Sequence, residues 1–147
     1  MKYKVLSVKQ PYASLLVSGK KDVENRSRRT NFRGTVLIHA SAKMHDVVEY
    51  LGDMVRSGVP AIGIEKDILR EADYAEAYQQ MSAILGSVDI VDCVQNHPSE
   101  WAEKGQWHWV CANAKKFVHP IRDVKGKLGI WEWEGEIGDL TINNKDL

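Results

Sequence analysis

What most constrains this chain is a succession of short β-type stretches, broken by turn residues and interrupted early by only two turns of helix. Tyr3 to Val8 alternates and is rich in β-formers, a first strand. Pro11 suits the first position of a helix with Gln10 at its cap. Tyr12, Leu15 and Leu16 follow at helical spacing, and Gly19 suits the position just past the helix end. Asp22 to Arg26 reads as a strand, Thr30 to Gly34 as a turn, and Thr35 to Ala40 as a strand with Val36, Ile38 and Ala40 on one face. His45 to Arg56 has helical periodicity through Val47, Val48, Leu51 and Val55. Asp67 to Gln79 predicts a second, more polar helix, and residues 57–64 a loop or brief strand between them. Ile84 to Val94 predicts a long strand bent at Gly86, and Ser99 to Glu103 a single helical turn capped by Ser99. Gln106 to Cys111 and Leu128 to Glu134 predict two more strands. The result is an α+β chain of about six short strands, a short N-terminal helix and a two-helix insertion over about 45–80. Such a sheet removes its edges by closing on itself as a small β-barrel. One domain over 1–135 and a polar, fraying tail over 136–147 complete the expected organisation.

Several function classes drop out. No run of about 18 apolar residues exists to span a membrane. Met1 to Leu6 runs straight into a strand pattern and is not a signal peptide. Cys93 and Cys111 lack metal-ligand spacing and read as reduced thiols of a cytoplasmic protein. The five histidines form no HxxH or HExxH pair, so neither a metal nor a cofactor is expected. No nucleophile elbow, phosphate loop or dinucleotide fingerprint is present, and Gly126 to Gly129 reads as a turn.

Net charge is zero, but it is unevenly spread. Residues 1–45 hold ten cations against two acids, residues 46–104 four against twelve, and residues 105–147 six of each. The basic third is a candidate surface for phosphates, unless the acidic middle folds back and neutralises it. Its densest part is Gly19 to Arg29, in the bend between helix and strand, where rigid flanks can hold a site. Lys20 and Lys21 complement the helix dipole in the plain reading. In the functional one a lysine points into a cleft and binds phosphate or acts as a base. Strand spacing puts Asp22, Glu24 and Arg26 on one face, where Glu24 is either an exposed ion-pair partner or orients a lysine or a base edge. The pairs Trp107/Trp109 and Trp131/Trp133 face one side of their strands and predict a shared aromatic core, or, with a ring exposed, a stacking platform. His39, next to Ser41, is placed to line the cleft.

Val5 to Leu16, then Gly19-x-Lys21-x-x-Glu24-x-Arg26, then Arg33 to Ser41 resemble the ASCH domain of the PUA-like superfamily. Gly86 to Cys93, Trp107 to Val110, and Pro120-Ile121 with Gly126 to Trp131 are similar to it in the same order, so the resemblance covers roughly residues 3–134. It implies a PUA-like β-barrel with a cleft beside the first helix and a binding module for RNA or a modified nucleotide. A bacterial branch of the resemblance hydrolyses N4-acetylcytidine with a lysine that maps onto Lys21. Its threonine three residues later is Glu24 here, so that hydroxyl is missing. The expected ligand-binding residues are Lys9, Tyr12, Lys20, Lys21, Glu24, Arg26, Arg28, Arg33, His39 and Ser41. The alternative is a metal-independent hydrolase, amidohydrolase or ribonuclease, with Lys21 and Glu24 catalytic. The expected partner is RNA or a nucleotide, with no membrane and a monomeric chain.

Overall fold

The computed structural model describes residues 1–44, 77, 79–137 and 141–143. The first expected helix lies outside the described residues, as does the second except for Ala77 and Gln79, and with them nearly all of the insertion over 45–80. In chain order the elements are β1 (Lys2–Gln10), α1 (Tyr12–Val17), β2 (Val23–Arg26), β3 (Gly34–Met44), β4 (Ala83–Val94), β5 (Trp107–Ile121), β6 (Ile130–Glu134) and β7 (Thr141–Asn143). The strands form one mixed sheet in the order β2-β5-β4-β3-β1-β6, with β7 added on β5. β1 and β3 pair in parallel, with Val5 opposite Leu37 and Ser7 opposite His39. The other pairings are antiparallel.

The sheet curls. Four inter-strand steps of about 4.8 Å would put β1 roughly 19 Å from β2 in a flat sheet. Instead, Arg26 Nη2 on β2 donates to Ser7 O on β1 at 2.7 Å. The result is a half-barrel whose end strands, β2 and β6, are not paired with each other among the described residues. Register shifts at Val8/Gln10, Ile38/His39 and Ile84/Gly86 supply local bends, the last where the bend at Gly86 was expected.

Alternate residues along each strand feed two cores. Leu6, Val8, Val36, Ile38, Ala40, Val88, Ile90 and Trp109 bury the inner face against Ala13, Leu16 and Val17 of α1. Val5, Leu37, Ile84, Phe117 and Trp131 bury the other face beneath Tyr3 and Trp133. The shared aromatic core is therefore corrected: Trp107 and Trp109 belong to the inner cluster, Trp131 and Trp133 to the outer. β6 lies beside β1, with three strands between it and β5, and the two pairs fall in separate clusters.

Local chemistry sets the helix ends. Gln10 Oε1 accepts from Ser14 N at 3.0 Å, and Gly19 ends α1 at φ 79°. β5 runs ten residues past the strand expected to stop at Cys111. Asn113 sits there at φ 52° and lysines follow, so the alternation fails just where the strand bulges. Thr141–Asn143, in the stretch expected to fray, pairs with Lys115–Phe117.

Candidate functional site

The turn after α1 and strand β2 build the site together. Gly19 reverses the chain, and Lys21 N returns a hydrogen bond to Leu15 O at 3.1 Å. The Lys21 side chain is thereby carried inward, where it is only 3% exposed. Its Nζ donates to Val23 O at 2.5 Å and lies 3.6 Å from Glu24 Oε1. The ammonium sits 5.3 Å from the Tyr12 ring centroid and 5.9 Å from that of Trp101, within cation–π range. On β2, Glu24 and Arg26 share a face, as the strand period requires. Arg26 Nε donates to Glu24 Oε2 at 2.9 Å and Nη2 lies 2.8 Å from the same oxygen. The guanidinium centre is 5.7 Å from the Trp109 ring. One carboxylate thus ties a buried ammonium to a half-buried guanidinium, inside a shell of three aromatic rings.

Asn25 points the other way and fastens the next wall. Its Nδ2 donates to Trp101 O at 2.9 Å, and its Oδ1 accepts from Glu103 N at 3.0 Å. Trp101 Nε1 donates to Lys20 O at 2.9 Å. The turn itself is capped as expected, Trp101 N donating to Ser99 Oγ at 3.1 Å. His108 holds the same wall: its Nδ1 accepts from His97 N, which leaves the proton on Nε2 to donate to Glu103 O at 2.7 Å. His108 is structural.

A third wall is the loop 124–129, held by His39. Val124 O can only accept, so His39 Nε2 carries the proton, at 2.6 Å. His39 Nδ1 then accepts from Ser7 Oγ at 3.0 Å, while Ser7 Oγ accepts from Trp131 Nε1 at 3.0 Å. Burial holds the His39 imidazole below its ordinary range, and the Val124 bond offsets part of that.

These walls enclose a cleft of about 770 Å³. Of the residues expected from sequence, Lys9, Tyr12, Lys21, Glu24, Arg26, His39 and Ser41 line it. Lys20, Arg28 and Arg33 are not in its lining. Lys20 and Arg28 supply backbone carbonyls to Trp101 and Trp109, and Arg33 folds onto Thr30 O, Phe32 O and Asp92. The sequence reading missed Ser7, Asn25, Trp101, Lys125 and Lys127 as cleft residues. Two lysines flanking Gly126 were a usable signal; nothing local to Trp101 says that its ring meets Lys21, 80 positions earlier.

The Cys111 thiol is not a nucleophile in waiting. Cys93 and Cys111 are free, and burial, then the Glu24 carboxylate, push the Cys111 thiol up to about 12. No group of three His, Cys, Asp or Glu that could hold a metal occurs among the described residues, and no described helix is long and apolar enough to cross a membrane.

Comparison with known proteins places the chain among recognisable relatives. The ASCH domain family model matches residues 6–121. Human activating signal cointegrator 1 is 32% identical over 139 residues, 90% of this chain and 22% of the relative. The mouse protein of the same name is 31% identical over the same share of each. The chain therefore spans less than a quarter of the length of these relatives. With the family model covering most of the chain, this protein belongs to the ASCH domain family.

Proposed function

We propose that this domain binds RNA or a nucleotide in the cleft, through anionic oxygens. The observation that carries the reading is the charge of the lining: Lys9, Lys21, Arg26, Lys125 and Lys127 against Glu24 and Glu103. Cations drawn from β1, β2, the helix end and the 124–129 loop converge on one concavity, where their potentials add. Its volume, about 770 Å³, suits a nucleotide-sized group. The Tyr12 and Trp101 rings supply apolar wall beside the cations.

The hydrolase reading stands second. Lys21 Nζ donates to Val23 O and faces Glu24, contacts of a proton donor, whereas a general base needs its lone pair turned to substrate. Fluorescence anisotropy with a labelled single-stranded oligoribonucleotide across a salt series tests the proposal. Binding should weaken as salt rises, with a log–log slope of about −0.7 per phosphate held. Absence of binding at low salt refutes it, and turnover of an N-acylated nucleoside that Lys21→Ala abolishes would put the hydrolase first.

A further inference from the structure

Arg26 offers its ligand less than a guanidinium usually can. The group carries five N–H donors in a planar fork. Its Nε–H goes to Glu24 Oε2. Nη2 faces two acceptors, Glu24 Oε2 at 2.8 Å and Ser7 O at 2.7 Å. Among the described residues, Nη1 has no protein acceptor, and Arg26 lines the cleft with its side chain 27% exposed. The spent edge cannot swing free cheaply. Glu24 is itself held by the buried Lys21, and Ser7 is fixed in β1 opposite His39 of β3.

This arrangement decides between two-point and one-point recognition. Reading guanine O6 and N7, or gripping a phosphate side-on, takes two nitrogens acting in parallel. Each such pair on a guanidinium includes Nη2, and here Nη2 is committed. We infer that Arg26 meets its ligand through Nη1 alone, taking one anionic phosphate oxygen and no base edge, with Glu24 and Ser7 O as the groups that position it. The inference rests on the reading of the cleft as an RNA or nucleotide site. It adds that this contact is blind to base identity.

Two measurements test it. The first compares three single-stranded probes of equal length: all uridine, guanine-substituted and abasic-substituted. Arg26→Gln, with folding checked by thermal unfolding, should weaken all three by the same factor and reduce the salt slope by about 0.7. A selective loss for the guanine probe, or an unchanged slope, overturns the inference while leaving RNA binding in place. The second needs no RNA. In the wild-type protein, titration with inorganic phosphate should shift the Arg26 Nη1 resonance and leave Nε unmoved. In Glu24→Gln, which keeps the shape and removes the charge, Nε itself should shift before any phosphate is added. Wild-type Nε moving with phosphate as far as Nη1 would mean that the fork leaves Glu24 for its ligand, and would overturn the inference. So would no Arg26 response at all. Phosphate moving Nη1 in a protein that binds no RNA would instead uphold the inference and sink the nucleic-acid reading.

Discussion

Removing the negative charge of Glu24 should cost more stability than removing the positive charge of Lys21. Both groups are out of water, Lys21 at 3% and Glu24 at 7% exposure. They are not equally dependent on each other. Without Lys21, Glu24 keeps Arg26 Nε and Nη2. Without a carboxylate at position 24, Lys21 keeps, among the described residues, only Val23 O and two ring faces. Breaking a buried pair from one side costs about 3–5 kcal/mol, because the remaining charge stays desolvated. Two cation–π contacts at about 0.5–1 kcal/mol each return part of this. The expectation for Glu24→Gln, which preserves shape and an acceptor for Arg26, is therefore about 2–3 kcal/mol. Lys21→Met should cost about 1 kcal/mol, since it swaps a buried ammonium for a similar apolar volume. In the double variant no ammonium is left stranded, so the two losses should fall short of additivity by about 2 kcal/mol. Urea unfolding measures this. With a slope of about 2 kcal/mol/M for a domain of this size, Glu24→Gln should lower the midpoint by about 1–1.5 M at constant slope. Equal losses for the two single variants, or simple additivity in the double, would refute the reasoning.

Two further predictions concern the third wall. The folded state holds His39 below its ordinary range, whereas the unfolded chain titrates near about 6.5. The unfolded state thus binds the proton more readily. The stabilisation from neutral His39 is complete above about 6.5 and is lost as pH falls from there through the folded value. Denaturant unfolding as a function of pH should show that decline, and His39→Gln should flatten it. Gly126 closes over the same pair. A Cβ there would meet His39 Cε1 and Ser7 Oγ, both at 2.8 Å, so Gly126→Ala should lower stability by about 1–3 kcal/mol, read as a fall in thermal midpoint.

The legible part of this molecule is local. The alternation of Tyr3–Val8 marks β1, Pro11 and Gly19 bracket α1, and the two-residue period of β2 puts Glu24 beside Arg26. The succession of strands and short helix along the chain follows from the same cues; the strand order within the sheet does not. Errors came where a local signal was silent or ambiguous. β5 continues through Asn113 because β4 pairs along it, with bulges that spoil the pattern. The tryptophan pairs divide between two cores because period-2 spacing shows which side of a strand a ring takes, not which layer that side joins.

The amino-acid sequence on its own determined β1, α1, β2 and β3, the faces of their side chains and the family, since dihedral preference, side-chain period and capping act within a few residues. Which faces meet was decided only by the tertiary structure. Curling of the sheet carries Arg26 to Ser7, Asn25 brings Trp101 under Lys21, and His39 draws in the loop bearing Lys125 and Lys127. Those contacts join positions 19 to 85 residues apart. They depend on register and curvature summed over the whole sheet, which no window of sequence contains.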